Sequence, residues 1–219
     1  LFSMWLVGCA PVRQARSVTT TGFLGNYSLL KKGGEGQPLW VYRNPKANFA
    51  RYDKVLLDPV TLWKAENSSL EDTPEEELQR LASLLYTMLQ EKLANDYTLV
   101  KRPGSGVLRI RVALTEAERS GVGMDIISTV LPPFRLLSSF GRIATGTDSF
   151  VGSASAEVEI TDSESREVLF EAVDREVGQK SVKGMTREWG DVEAAFLLWV
   201  NRLSAHLAEE RKAGTRPSA

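Results

Sequence analysis

Thr73-Pro74-Glu75-Glu76-Glu77-Leu78-Gln79-Arg80-Leu81-Ala82-Ser83-Leu84-Leu85-Tyr86-Thr87-Met88-Leu89-Gln90-Glu91-Lys92-Leu93 decides the fold. Leu78, Leu81, Leu85, Met88 and Leu89 recur at helical intervals, and Leu84 and Leu93 widen the same stripe. Glu77, Gln79, Arg80, Gln90 and Lys92 fall mostly elsewhere, which is the pattern of an amphipathic helix. Thr73 is placed as its N-cap, Pro74 suits the first helical position, and Glu76 completes a capping box and favours the helix dipole. At about 1.5–3 kcal/mol per buried large aliphatic side chain, five such residues release roughly 10 kcal/mol, so the stripe must dock on an apolar surface. The surrounding stretch Asp53–Leu114 reads as strand, helix, strand, strand, which makes a sheet the natural partner.

Outward from the helix, Leu39–Tyr42 and Val55–Trp63 carry the β-branched and aromatic residues of strands, and Pro59 places the second at a sheet edge or bend, with the edge favoured. Tyr97–Val100 is a further strand, and Pro103–Gly106 a turn. Val107–Leu114 then alternates Ile110, Val112 and Leu114 against Arg109, Arg111 and Ala113, which predicts one buried and one wet face. Arg109 and Arg111 are candidates for gripping an anion; cross-strand charge pairing is the plainer reading of the same residues. Val151–Ile160 and Arg166–Val177 form a hairpin about the turn Thr161–Ser165. A second amphipathic helix opens near Gly190-Asp191 and aligns Val192, Phe196, Trp199, Leu203 and Leu207. The fold class that follows is α/β in the α+β sense, a two-layer sandwich with two main helices on one face of a mixed sheet.

Thr115–Ser149 is the least regular segment, with Gly121, Gly123, Pro132-Pro133, Gly141 and Gly146 around apolar runs. Long insertions of this kind tend to be functional. Its stretch Phe134–Phe140 is open to three readings, a short helix over the core, a partner-binding flap or a membrane-contacting element, and Phe134 and Phe140 are its candidate binding residues. Residues 22–210 are expected to form one domain carrying this insertion at 115–149, with residues 211–219 a disordered tail; division at Ser120 is the alternative.

Lys+Arg 27 against Asp+Glu 28 leave a formal charge of −1, which argues against nucleic acid as a partner. His206 is the only histidine and lies near the end of the last helix, where contact with terminal carbonyls is expected rather than metal binding. Asp58, Asp162 and Asp191 occupy turn and helix-start positions, and no serine lies in a Gly-x-Ser-x-Gly elbow. No catalytic set, metal site or cofactor is therefore expected.

Leu1–Ala10 is a short apolar run ending in small residues beside Cys9, the only cysteine, and residues 1–8 look like the end of a signal peptide. Leu6-Val7-Gly8-Cys9 resembles the bacterial lipobox, in which the cysteine is acylated after cleavage. Cys9 is then a lipid anchor, each buried methylene of its chains contributing about 0.8 kcal/mol, and residues 9–21 a mobile lipidated tether. Ala10 after the cysteine favours the outer membrane.

Gly22-Phe23-Leu24-Gly25-Asn26-Tyr27-Ser28-Leu29, Tyr52 with Leu56-Leu57-Asp58-Pro59-Val60, Ala113-Leu114-Thr115, and Asp162 with Glu167-Val168-Leu169 resemble a family of bacterial lipoproteins classed as domain of unknown function 3313. The resemblance runs from about Cys9 to about Leu207 and implies an exported, lipidated envelope protein. The functional expectation is a non-catalytic binding or assembly module on the periplasmic face of the outer membrane. An envelope protein or peptidoglycan is its expected partner. The alternative is an envelope hydrolase whose acidic residues meet only on folding.

Overall fold

Alternating apolar residues on the longest strands build a sheet whose inner face receives both helices. The computed structural model describes residues 12–64, 68–71, 73–120, 152–178 and 189–214. The elements are β1 (Val12–Gln14), β2 (Lys31–Lys32), β3 (Trp40–Arg43), β4 (Lys54–Leu57), β5 (Thr61–Leu62), α1 (Glu75–Leu93), β6 (Thr98–Leu99), β7 (Val107–Glu118), β8 (Ser153–Asp162), β9 (Val168–Gly178) and α2 (Gly190–Gly214). The order across the sheet is β2-β3-β9-β8-β7-β4-β6, with β1 added to β9 and β5 to β7. β4 runs parallel to β6 and β7, and β5 parallel to β7; the remaining pairs are antiparallel, so the sheet is mixed as expected.

The α1 stripe docks as its spacing requires: Leu78, Leu81, Leu85, Leu89 and Leu93 join Ile110, Leu114, Ile160, Phe170, Val192 and Phe196 in one core. The start of α1 differs from the capping-box expectation. Pro74 is the cap residue, with no side-chain bond to an amide, and the Thr73 hydroxyl donates to Ser69 O instead (3.3 Å). Glu75, Glu76 and Glu77 still complement the dipole in the first turn.

Pro59 marks a bend at an edge: among the described residues, β4 past Val55 and the whole of β5 pair on one side only, with β7. Leu57 is opposite Ile110 and Thr61 opposite Ala113, so Asp58, Pro59 and Val60 stand against only Arg111 and Val112, and the surplus residue bulges. β4 itself is covered by β6 over Lys54–Val55. The parallel entry of β4 beside β7 is set by Gly106, at φ +72°, whose carbonyl accepts the amides of Asp53 and Lys54 (both 3.2 Å).

Four boundaries move. Residues 12–14 are not tether but strand: Val12 is buried opposite Gly178, and Gln14 Nε2 donates to Asp174 Oδ1 (2.8 Å). Val18 and Thr21, expected in the mobile tether, lie with residues 22–30 on the outer face of the sheet, where Phe23 and Leu24 pack on Ala113 and Val173. That face, expected to be wet, is dry there because an aromatic segment lies on it. β7 continues through Glu118, past a register shift between Leu114 and Glu116, so Thr115–Glu118 belong to the sheet and not to the insertion. α2 continues to Gly214, so 211–214 are helix rather than tail. Cys9, Phe134, Phe140 and the signal-like residues 1–8 lie outside the described residues.

Candidate functional site

Where the short strands β2 and β3 end the sheet, α2 overhangs a cleft of about 900 Å³. β3 and β9 contribute Val41, Phe170 and Ala172, and β7 and β8 contribute Val112 and Val158. α1 offers Leu85 and Leu89, and α2 closes the far side with Trp199, Leu203 and His206. Val41, Val158, Trp199 and Leu203 are partly exposed along the cleft, and the buried Leu85, Leu89, Val112, Phe170 and Ala172 form its floor, because a four-residue strand cannot shade a helix of this length. Such a concave, mostly apolar surface with few polar groups is the usual form of a small-ligand site.

Four of the charges bordering the cleft, Arg43, Asp174, Arg202 and Glu210, are held in ion pairs. Asp174 Oδ1 accepts from Gln14 Nε2 (2.8 Å) and Leu39 N (3.0 Å), and its Oδ2 accepts from Trp199 Nε1 (3.0 Å) and Arg202 Nη1 (3.1 Å). One buried carboxylate thus joins β1, the approach to β3 and α2. Arg202 also reaches Glu176 Oε1 at 2.6 Å, so one guanidinium serves two buried acids. Burial first, then the charge of Asp174, pushes Glu176 up to about 7 despite Arg202. Arg43 Nε donates to Glu210 Oε1 at 2.6 Å, pinning β3 to the end of α2.

His206 does not reach terminal carbonyls. Its ring lies 4.4 Å from that of Phe170 and 6.3 Å from that of Phe49, its Nδ1 is 4.0 Å from Glu210 Oε1, and its buried Nε2 has no hydrogen-bond partner. Burial lowers its pKa, against the opposing charge of Glu210, so it stays neutral near pH 7.

The arginines proposed for an anion are engaged with carboxylates. Arg109 binds Asp58 through Nε (3.0 Å) and Nη2 (2.7 Å), and Arg111 binds Glu159 (2.8 Å) while its guanidinium lies 4.8 Å over the Phe23 ring. Cross-strand register and the β4 bulge, which brings Asp58 to Arg109, explain this. On the same outer face Glu157 accepts from Thr21 N (3.0 Å), Thr21 Oγ1 (2.9 Å) and the Tyr27 hydroxyl, holding residues 21–27 to the sheet. Glu171 is buried beside it with an unpartnered Oε2, and burial followed by the charges of Glu159 and Glu157 pushes it up to about 7.

Sequence reasoning passed over Asp174, Glu176 and Arg202. A signal exists for the first two: Phe170, Ala172, Asp174 and Glu176 share one face of β9 by the period of two, so two acids extend an apolar face. Among the described residues no group of three or more His, Cys, Asp or Glu is disposed to hold a metal ion, and no helix is long and apolar enough to cross a membrane.

A family model described as a protein of unknown function (DUF3313) matches residues 19–203. The chain belongs to this family. The DUF3313 match spans every element described above except β1 and the last turns of α2. No curated protein matches the chain. Among solved structures, the chain is similar to a PelC dodecamer from Paraburkholderia phytofirmans, at 14% identity and TM-score 0.41, covering 74% of this chain and 96% of that one. It is also similar to a DUF4136 family protein from Bacteroides thetaiotaomicron, at 14% identity and TM-score 0.40, covering 76% and 95%. A putative neuraminyllactose-binding hemagglutinin homolog from Helicobacter pylori follows at 10% identity and TM-score 0.37, covering 78% and 98%.

Proposed function

We propose that this DUF3313 domain is a non-catalytic binding module of the bacterial envelope, acylated at Cys9, held at the periplasmic face of the outer membrane, and taking an apolar ligand in the cleft beneath α2. The observation that carries the binding reading is the mostly apolar cleft of about 900 Å³ at whose border Arg43, Asp174, Arg202 and Glu210 are already paired. An acyl chain matches that lining better than a sugar or a nucleotide, since the partly exposed Val41, Val158, Trp199 and Leu203 offer apolar area over the buried floor of Leu85, Leu89 and Phe170. Asp174, the carboxylate on the cleft lining beside α2, is fully occupied as an acceptor, and Glu176 is not among the lining residues, which supports binding over acid–base chemistry at this place. The anchor reading is supported by Leu6-Val7-Gly8-Cys9.

Trp199 reports on the cleft. Titration with dodecanoate is expected to shift its emission saturably, and Leu203→Glu is expected to weaken the response at least tenfold while far-ultraviolet dichroism stays unchanged. A wild-type protein that shows no saturable response, or a Leu203→Glu variant that binds equally well, overturns the cleft as the site.

A further inference from the structure

The strands beneath the cleft contribute one residue each to a single row across the inner face. Val112 on β7 stands opposite Val158 on β8, Val158 opposite Ala172 on β9, Ala172 opposite Val41 on β3, and Val41 opposite Lys31 on β2. Residues paired in this way turn their side chains to the same face, and all five are on the lining of the cleft. Lys32 falls on the other face by the period of two and is absent from the lining. At about 4.8 Å between strands, four steps carry the row about 19 Å, from buried Val112 to exposed Lys31. The row is thus apolar over four strands and ends in a cation at the β2 edge of the sheet.

That cation is also the one left to take a ligand. Of the lysine and arginine side chains on the lining, Arg43 is spent on Glu210, and Arg202 on Asp174 and Glu176. The side chain of Lys31 has no ion pair or hydrogen bond among the described residues. The adjacent inner-face row, Arg43–Phe170–Ile160–Ile110, also ends in a cation, but one already neutralised. On the other wall α2 presents Glu209 and Glu210, which repel an anion there and leave the β2 edge as its place. We infer that the cleft selects single-chain amphiphiles with an anionic head, a carboxylate or a phosphate monoester, the chain lying along the row from Val112 to Val41 and the head meeting Lys31 Nζ. This rests on the cleft reading put forward above and adds to it the charge and the direction of the ligand.

The test is calorimetric titration of the full-length chain, at low ionic strength and a pH of about 8, with dodecanoate, dodecyl phosphate and dodecan-1-ol, which share a chain and differ in the head. Lys31→Met is expected to weaken binding of both anions about threefold and Lys31→Glu about tenfold, with dodecan-1-ol held within about twofold. Lys32→Met, on the other face, is expected to leave all three within about twofold. Loss of affinity for one anion alone in the Lys31 variants supports the inference and names the head. Lys31→Glu that binds both anions as the wild type does, or that loses dodecan-1-ol to the same degree, overturns Lys31 as the partner of the head while the wild-type titrations keep the cleft in place. Lys32→Met that matches Lys31→Met, or a wild type that takes the alcohol and neither anion, does the same. A wild type that binds none of the three overturns the cleft reading and the choice of head with it.

Discussion

Glu171, on the outer face of β9, and Glu176, on its helix-covered face, are buried carboxylates, and both are pushed up to about 7, chiefly by burial. An unfolded glutamate titrates near 4.3, so between these values the folded chain holds protons that the unfolded chain has released. Stability is therefore lost as pH rises through about 7 and regained on acidification. His206 acts in the opposite sense, but only below its ordinary value near 6.5, because its folded pKa is lowered. Melting temperature is thus expected to rise between about pH 8 and pH 6.5, by a few degrees. Glu171→Gln should raise the melting temperature at pH 8 and flatten the slope; an unchanged slope in that variant contradicts the assignment to Glu171. Arg202 shows the other side of the same electrostatics. Arg202→Met leaves Asp174 and Glu176 facing each other without a cation and is expected to cost about 3–5 kcal/mol by denaturant titration at neutral pH. A cost under about 1 kcal/mol would mean that the two acids share a proton and need no arginine.

At the scale of elements, α1 carries the largest apolar commitment outside the sheet. Leu81→Ala, at a position with 0% exposure, is expected to destabilise by about 2–5 kcal/mol, whereas Leu197→Ala on the outward side of α2, where the side chain is 55% exposed, stays within about 0.5 kcal/mol. Both helices and the β8–β9 hairpin were legible because their signals are local: the leucine spacing of α1, the stripe Val192–Phe196–Leu207, and alternation on either side of Asp162. Strand order was not legible. The insertion of β9 between β3 and β8, and the parallel pairing of β4 with β7, bring together residues far apart in sequence, and no local period records them. The cap of α1 misled because Thr73 has a competing partner in Ser69 O, one residue pattern serving two bonds. β1 was missed because three residues with one apolar side chain make no period at all.

For the whole molecule, the outer face shows most clearly why a pattern misreads its surroundings. Ser153, Ser155 and Glu157 alternate with apolar residues as a solvated strand face would, yet all three are buried. Polarity there meets polarity: Glu157 receives Thr21 and Tyr27, and Ser155 and Ser153 donate to Glu116 (2.7 Å) and Glu118 (2.8 Å). The period identifies a face, but only the path of residues 18–30 determines whether water reaches it. Glu157 holds residues 21–27 to the outer face, so Glu157→Gln is expected to loosen them, seen as faster amide exchange. Unchanged exchange of residues 21–27 in that variant would contradict the role given to Glu157.

The candidate site was legible only in part: Trp199 and Leu203 were already aligned on one helix, but the cleft exists because β2 and β3 are short and the sheet stops beneath α2. That α2 overhang binding an apolar ligand is the central claim. Its most direct test is amide and methyl NMR of the Cys9→Ala protein titrated with dodecanoate. The account predicts saturable shifts centred on Leu85, Leu89, Val112, Val158 and Leu203, with Phe23 and Leu24 on the opposite face unmoved. Shifts confined to the outer face, or none at millimolar ligand, would contradict it.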